Sequence, residues 1–293
     1  MKKVLIATTA LVATAGMAAA EINFSGGARF GIRYDESAVV GAQETKITNR
    51  FTVNIDGTAE TDTGVEFFGR VRIRGGNTGD ATAPTASGVS APRVGARMGG
   101  LTVATGNING AIDSLPGLYS GSVGLTGLSY SNVLVGGYDG FSSAGGGTNG
   151  VEVIYSASGL GVHLSHSGLV AGDRTALGLS YAFGDWKIAL GHQSADLIAE
   201  DFTVLTVDGA IGSVSVGAQI ADVAAGSAFQ INAGFEVGAG TKVTVFMADT
   251  DGATDTAYGL GFTHSLGGAT LAGGIVSDAA GATHADLGVR FKF

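Results

Sequence analysis

The chain closes on Thr283-His284-Ala285-Asp286-Leu287-Gly288-Val289-Arg290-Phe291-Lys292-Phe293, and this stretch decides the fold class. From Ala285 it alternates strictly. Ala285, Leu287, Val289, Phe291 and Phe293 fall on one face, and Asp286, Gly288, Arg290 and Lys292 on the other. Successive side chains of an extended strand point to opposite faces, so the segment is apolar on one side and charged on the other. Its length matches the roughly 9–11 residues that a tilted strand needs to cross a bilayer. A half-buried edge strand of a soluble sandwich would show the same alternation, so the rest of the chain has to separate the two.

The N-terminus carries the marks of an export signal. Lys2 and Lys3 precede an apolar run from Val4 to about Ala15, and Ala18 and Ala20 form an A-x-A cleavage pattern. The run is shorter than the ~18 apolar residues of a membrane-spanning helix. Residues 1–20 are therefore expected to be a cleaved signal peptide, leaving one β-barrel domain over residues 21–293. There is no cysteine, so no disulfide braces the exported protein.

Composition narrows the class further. Glycine is abundant at 51 residues and proline scarce at 3, a glycine load that helix interiors tolerate poorly. Hydrophobic residues make up 45% of the chain, too many for a disordered segment. Formal charge is −9, and removing Lys2 and Lys3 leaves 14 basic against 25 acidic residues, a balance that argues against nucleic-acid binding.

Along the chain, alternating segments are joined in turn by tight glycine turns and longer polar loops. The turns are Asp62-Thr63-Gly64, Gly99-Gly100, Gly159-Leu160-Gly161, Gly184-Asp185, Gly212-Ser213, Gly238-Ala239-Gly240 and Gly267-Gly268. Loops are expected near 35–45, 76–91, 111–149, 169–173, 196–201, 222–228, 250–255 and 278–282. Seven turns and eight loops connect about sixteen strands with both ends on the short-turn side, the asymmetry of an outer-membrane barrel. Phe67, Tyr181, Phe183, Trp186 and Phe293, outward beside turns, are candidates for an interfacial aromatic girdle. Near Phe202–Gly209 the alternation blurs and no facing can be assigned.

Parity places the functional residues. Arg29 and Arg33 share the inward face of the first strand, Arg50 that of the second, Arg70, Arg72 and Arg74 that of the third, and Arg93 and Arg97 that of the fourth. An arginine on the lipid face at mid-depth costs about 2–4 kcal/mol, which favours the lumen. These eight of the ten arginines form a basic strip expected to line a pore and set its selectivity. The connection over 111–150 is too apolar for a solvated tip. Leu115, Leu118, Tyr119, Val123, Leu125, Leu128 and Tyr130 need a surface, which folding back into the barrel would supply.

The opening EINFSGGARFGIRY (21–34), the hairpin NIDGTAETDTGVEFFGRVR (54–72), the stretch GNINGAIDSLPGLYSGSVG (106–124) and the closing DLGVRFKF (286–293) resemble the Gram-negative general porins of the alphaproteobacterial type. The resemblance covers essentially the whole mature chain. It implies an all-β, transmembrane antiparallel barrel of about 16 strands with a long inward-folded third loop. It further implies an outer-membrane location in a Gram-negative bacterium, a homotrimer, and passage of small hydrophilic solutes and ions. Phe293 is similar to the terminal signal such proteins present to the outer-membrane assembly machinery. One departure stands out: the family's third loop carries several carboxylates opposite the arginines, whereas this one offers Asp113 and Asp139. For the same reason loop calcium sites do not carry over, and no cofactor is expected.

No enzyme constellation is found. His163 and Ser165 share a face, but no carboxylate sits beside them on that strand to complete a triad. His163 and His166 lie on opposite faces, which spoils a metal pair. Three readings stay open: a passive diffusion channel, an anion- or substrate-selective channel, and a structural or adhesive barrel.

Overall fold

The structure is a computed structural model that describes residues 20–39, 41–77, 86–169, 172–196 and 200–293. Nearly all of the proposed signal segment lies outside them, as do 78–85, 170–171 and 197–199 in three of the expected loops. The strands are β1 (Ala20–Asp35), β2 (Thr45–Glu60), β3 (Glu66–Asn77), β4 (Gly88–Val89), β5 (Arg93–Met98), β6 (Leu101–Asn107), β7 (Asn149–Ala157), β8 (Leu160–Leu169) and β9 (Gly172–Phe183). The circuit continues with β10 (Trp186–Ala195), β11 (Phe202–Ile211), β12 (Val214–Val223), β13 (Gly226–Glu236), β14 (Thr241–Thr250), β15 (Ala257–Ser265), β16 (Ala269–Ser277) and β17 (Thr283–Lys292).

Apart from β4 and β5, strands adjacent in the chain pair antiparallel, and β1 pairs with both β2 and β17, so the sheet closes on itself. β4 and β5 are two pieces of one strand, both paired with β3, which makes sixteen staves. The break is at Ser90-Ala91-Pro92, where proline has no N–H to give the ladder. The third loop fills it: Ala91 N donates to Gly145 O at 2.7 Å and Gly145 N to Val89 O at 2.9 Å. Backbone groups at membrane depth have no water to bond, so a sheet that spans must close. No described helix is long and apolar enough to cross a membrane.

The period-2 reading holds around the wall. Ile22, Phe24, Phe30, Ile32, Phe51, Phe67, Leu177, Leu179, Tyr181 and Phe229 are exposed on the outside, the side that faces lipid. Phe293 closes the circuit. Its N–H and C=O pair with Gly26, and its ring stacks on Phe51 at 5.4 Å. That ring occupies the outward face of Gly26. Register also resolves the blurred stretch of β11. Thr203, Leu205 and Val207 share the outward face of Leu190 and Ile188, while Phe202 and Val204 turn inward and are buried. Two loop expectations need correction. Between β12 and β13 only 224–225 remain, and between β8 and β9 only 170–171, because the ladders run on to both rims. The Gly159-Leu160-Gly161 turn is shorter as well, since Leu160 and Gly161 already belong to β8.

The core lies inside the barrel, between the wall and residues 108–148. Ala111, Ile112, Leu115, Leu118 and Val135 pack on Ala176, Ala189, Phe202, Val204, Ala221 and Ala228. Farther round, Val123 and Leu128 pack with Phe246, Ala248, Ala257 and Val276. Burying each large aliphatic side chain stabilises by about 1.5–3 kcal/mol, enough to hold the loop down. Many of the chain's glycines serve this contact. A Cβ on Gly191 would lie 2.9 Å from Ile112 and 3.0 Å from Leu115, one on Gly261 2.6 Å from Val123, and one on Gly274 2.9 Å from Gly124 N. The wall is bare where the loop lies on it.

Replacing Gly191 with Val should therefore lower the unfolding free energy in detergent by about 1–3 kcal/mol and alter single-channel conductance. Gly69→Val, whose new Cβ meets nothing nearer than Val94 at 3.6 Å, should leave both within error. Equal effects of the two would contradict the glycine-bed account.

Candidate functional site

The third loop leaves β6 and returns to β7 after running round most of the inner wall, and polar side chains pin it at intervals. Glu152 on β7 accepts from Asn109 N and Gly110 N at 3.2 Å each, and Ser165 Oγ accepts from Ala111 N at 3.0 Å. Thr206 Oγ1 donates to Pro116 O at 2.6 Å, and Gln219 Nε2 donates to Gly117 O and Leu118 O at 3.0 Å. On the far side Asp286 of β17 accepts from Leu125 N at 2.8 Å and from Thr126 N and Oγ1 at 2.7 Å. Asn107 ties the returning limb, accepting from Ser142 N at 2.9 Å and donating to Ser142 O at 2.8 Å. A buried loop must satisfy its backbone groups, and the wall supplies the partners.

All eight arginines of the basic strip project inward, and they divide into two sets. Four are matched with carboxylates. Arg33 pairs with Asp35 at 2.7 Å, Arg70 with Asp56 at 2.6 Å, Arg93 with Glu152 at 2.6 Å, and Arg97 with Glu66. Arg93 and Arg97 also lie over the Phe68 ring, at 5.0 and 5.5 Å. Arg29, Arg50, Arg72 and Arg74 have no ion-pair partner among the described residues; neutral groups orient three of them. Arg72 Nε donates to Asn54 Oδ1 at 2.7 Å and its Nη1 to Ser143 Oγ at 2.9 Å. Arg74 donates to Thr52 Oγ1 at 3.2 Å, and Arg29 to Leu125 O at 3.3 Å. Register gathers them, with Arg29 opposite Arg50, Arg74 opposite Thr52 and Arg72 opposite Asn54.

These four, with Arg290 and Lys292 of β17, line a cavity of about 1230 Å³ between the wall and the loop. Asp113 is the only carboxylate lining it among the described residues. Burial raises the Asp113 carboxyl above the ordinary aspartate value of 3.8, against the pull of the Tyr119 hydroxyl that donates to it. Tyr119 and Tyr138, joined through their hydroxyls at 2.9 Å, are both raised, first by burial. Asp139 is placed elsewhere. It is 5% exposed, accepts from Ser167 Oγ at 2.5 Å and pairs with Arg174 at 3.2 Å, so it fastens the loop to β8 and β9 rather than lining this cavity.

The loop also contains an unusual turn. Leu128, Ser129 and Tyr130 have φ of +41°, +64° and +54°, three consecutive non-glycine residues in left-handed backbone. Each such residue costs about 1–2 kcal/mol. Neighbours hold the turn: Leu128 is fully buried, Tyr130 N donates to Gly127 O at 2.8 Å, and Arg33 donates to Ser129 Oγ at 2.9 Å. Tyr130 remains 47% exposed, lines the cavity, and meets Tyr119 edge-on at 5.4 Å.

A strand-by-strand reading missed partners that come from the neighbouring strand. His163 does have a carboxylate beside it, Glu152 of β7 at 2.9 Å. Glu152 and Ser165 are both bound to the start of the loop, so the cluster acts as an anchor. Among the described residues no three His, Asp or Glu side chains are grouped to hold a metal ion.

A family profile described as Gram-negative porin matches residues 7–280. The chain belongs to the Gram-negative porin family. It is 32% identical over 298 residues to a porin of Fuscovulum blasticum, covering 93% of this chain and 100% of that one. Solved variants of Rhodopseudomonas blastica porin superpose with TM-scores of 0.84 and 0.83 at 28% identity, again covering 93% of this chain and 100% of theirs. The porin is accordingly an outer-membrane channel whose lumen narrows where the third loop faces the arginines.

The pins on the porin's loop are testable singly. Asp286→Ala removes three bonds to a buried carboxylate, each worth about 1.5–3 kcal/mol. The variant should show noisier single-channel current and closure at lower voltage than the parent. A trace indistinguishable from the parent would show that Asp286 does not hold the loop.

Proposed function

We propose that this porin is a passive diffusion channel for small hydrophilic solutes and ions whose constriction prefers anions. The observation that carries the reading is the imbalance of the cavity lining: Arg29, Arg50, Arg72, Arg74, Arg290 and Lys292 against Asp113 alone. Chain charge of −9 points the other way, but acids such as Glu36, Glu200 and Asp201 lie at the outer rim. There, water and salt screen them over about 8–10 Å. Within a narrow pore with low-dielectric walls, fixed charges are screened less and the field is focused. Arg33, Arg70, Arg93 and Arg97 contribute less, each being matched by a carboxylate of the wall.

In a KCl gradient the parent should show a chloride-selective reversal potential. Replacing Arg50, Arg72 and Arg74 together with Ser should move it toward potassium, and Arg70→Ser should move it much less. The acid arm has a definite sign. Burial favours protonated Asp113 more in the folded protein than in the unfolded chain, so its contribution to stability is full below pH 3.8 and lost as pH rises through the raised value. Acidification from pH 7 through that range neutralises the single cavity carboxylate and should increase chloride preference, and Asp113→Asn should abolish the change. A reversal potential unmoved by the triple substitution would refute the assignment.

The mature protein in this reading begins at Glu21 and spans residues 21–293 after removal of residues 1–20. It inserts through the outer-membrane assembly machinery, with Phe293 as the terminal recognition residue, and functions as a homotrimer among outer-membrane lipids. The trimer reading rests on the family. Native mass spectrometry of detergent-extracted protein should give three copies of a chain starting at Glu21. A monomer, or a retained leader, would contradict the corresponding part.

A further inference from the structure

Tyr130 stands in the lumen in a conformation that anchoring the loop does not require. Burial of Leu128 and the Asp286 bonds to Leu125 and Thr126 fix the loop at this point, and Tyr130 adds no side-chain hydrogen bond to them. Its φ of +54° suits glycine, yet the position holds an aromatic ring, 47% exposed, in the same cavity as Arg29, Arg50 and Arg74.

The polar groups around that ring are already engaged. The Tyr119 hydroxyl is shared between Asp113 and Tyr138, Ser129 Oγ accepts from Arg33, Thr126 Oγ1 donates to Asp286, and Ser122 Oγ donates to Asn132. Of these side chains the loop side of the constriction therefore offers the Tyr130 ring with a single free hydroxyl, while the opposite side offers guanidinium groups without carboxylate partners. A polyhydroxylated anion would find too few partners on the loop. An inorganic or short aliphatic anion would use the arginines alone. A solute with a carboxylate on a flat aromatic ring matches both sides at once.

We propose that Tyr130, Arg29 and Arg74 form a subsite for aromatic carboxylates within the constriction. It rests on the anion preference argued above and adds a ring requirement that the arginines alone do not impose.

The test is block of single-channel KCl current by benzoate, with acetate and glucuronate as comparison anions, on the purified full-length channel. Benzoate should block the parent at lower concentration than either comparison anion. Tyr130→Gly relieves the left-handed backbone and should fold at least as well as the parent by β-type circular dichroism. It should nevertheless weaken benzoate block about 2- to 10-fold, the range of an aromatic pair, with acetate unchanged. Tyr130→Phe keeps the ring and should stay within about 2-fold of the parent. With chloride selectivity present in the parent, benzoate block no stronger than acetate or glucuronate block, or unaltered in Tyr130→Gly, would overturn the subsite and leave the anion preference standing. A cation-selective parent would bring down both. Should Tyr130→Gly fail to fold, Tyr130→Leu keeps bulk without a π face and must show the same weakening.

Discussion

The constraint on which everything else depends is that no backbone donor or acceptor can be left unpaired inside a membrane. A β-sheet meets it only by having no edges, and this chain meets it by returning its last strand to its first. β1 is bonded on one side to β2 and on the other to β17, from Gly27 opposite Lys292 to Asp35 opposite His284. Once the ring is closed, alternation has consequences that an open sheet lacks. One face of every strand meets lipid and the other meets a confined volume, so polar residues of all sixteen staves are concentrated into one space. The arginines converge because the sheet is closed, not because they are close in sequence.

That confined volume is then occupied by the chain itself. The third loop brings its own apolar side chains, and the inner wall, polar elsewhere, becomes apolar or bare beneath it. Phe202, Val204, Ala176, Ala189 and Ala221 turn inward at one side, and Gly178, Gly191, Gly261 and Gly274 make room along the path. The wall's carboxylates and amides bind the loop's backbone, which leaves unmatched guanidinium groups across the gap. Packing on one side of the lumen thereby exposes charge on the other.

The strand pattern, the closing segment and the inward parity of all eight arginines were legible in the amino-acid sequence, because a period of two survives in any sufficiently exposed strand. The stretch Phe202–Gly209 was not, for a physical reason: inward Phe202 and Val204 touch the loop instead of water while Thr203 lies on the outward face, so apolar and polar residues occur on both faces. Glycines were read as turn formers, and many are, but Gly191 and Gly274 lie in mid-strand and are explained only by what rests on them. Matching of Arg70 with Asp56, Arg93 with Glu152 and Arg97 with Glu66 requires inter-strand register, which local pattern does not contain. Asp139 was expected opposite the arginines since it lies on the loop, yet the loop's path turns it to Arg174.

A closed single-layer ring is a thin-walled tube, stiff along its length but easily flattened into an ellipse. The third loop changes this, because its fastenings are spread around the circumference rather than gathered at its base. Glu152 holds it at β7, Gln219 at β12, Asp286 at β17, and Arg72 of β3 grips its returning limb through Ser143. It is a chord strung between separated points of the hoop. Flattening the tube along any diameter would stretch or slacken at least one of these ties. Lateral pressure from crowded neighbours in the membrane is thus resisted from within, and the cross-section at the narrowest level is set by the chain rather than by its surroundings.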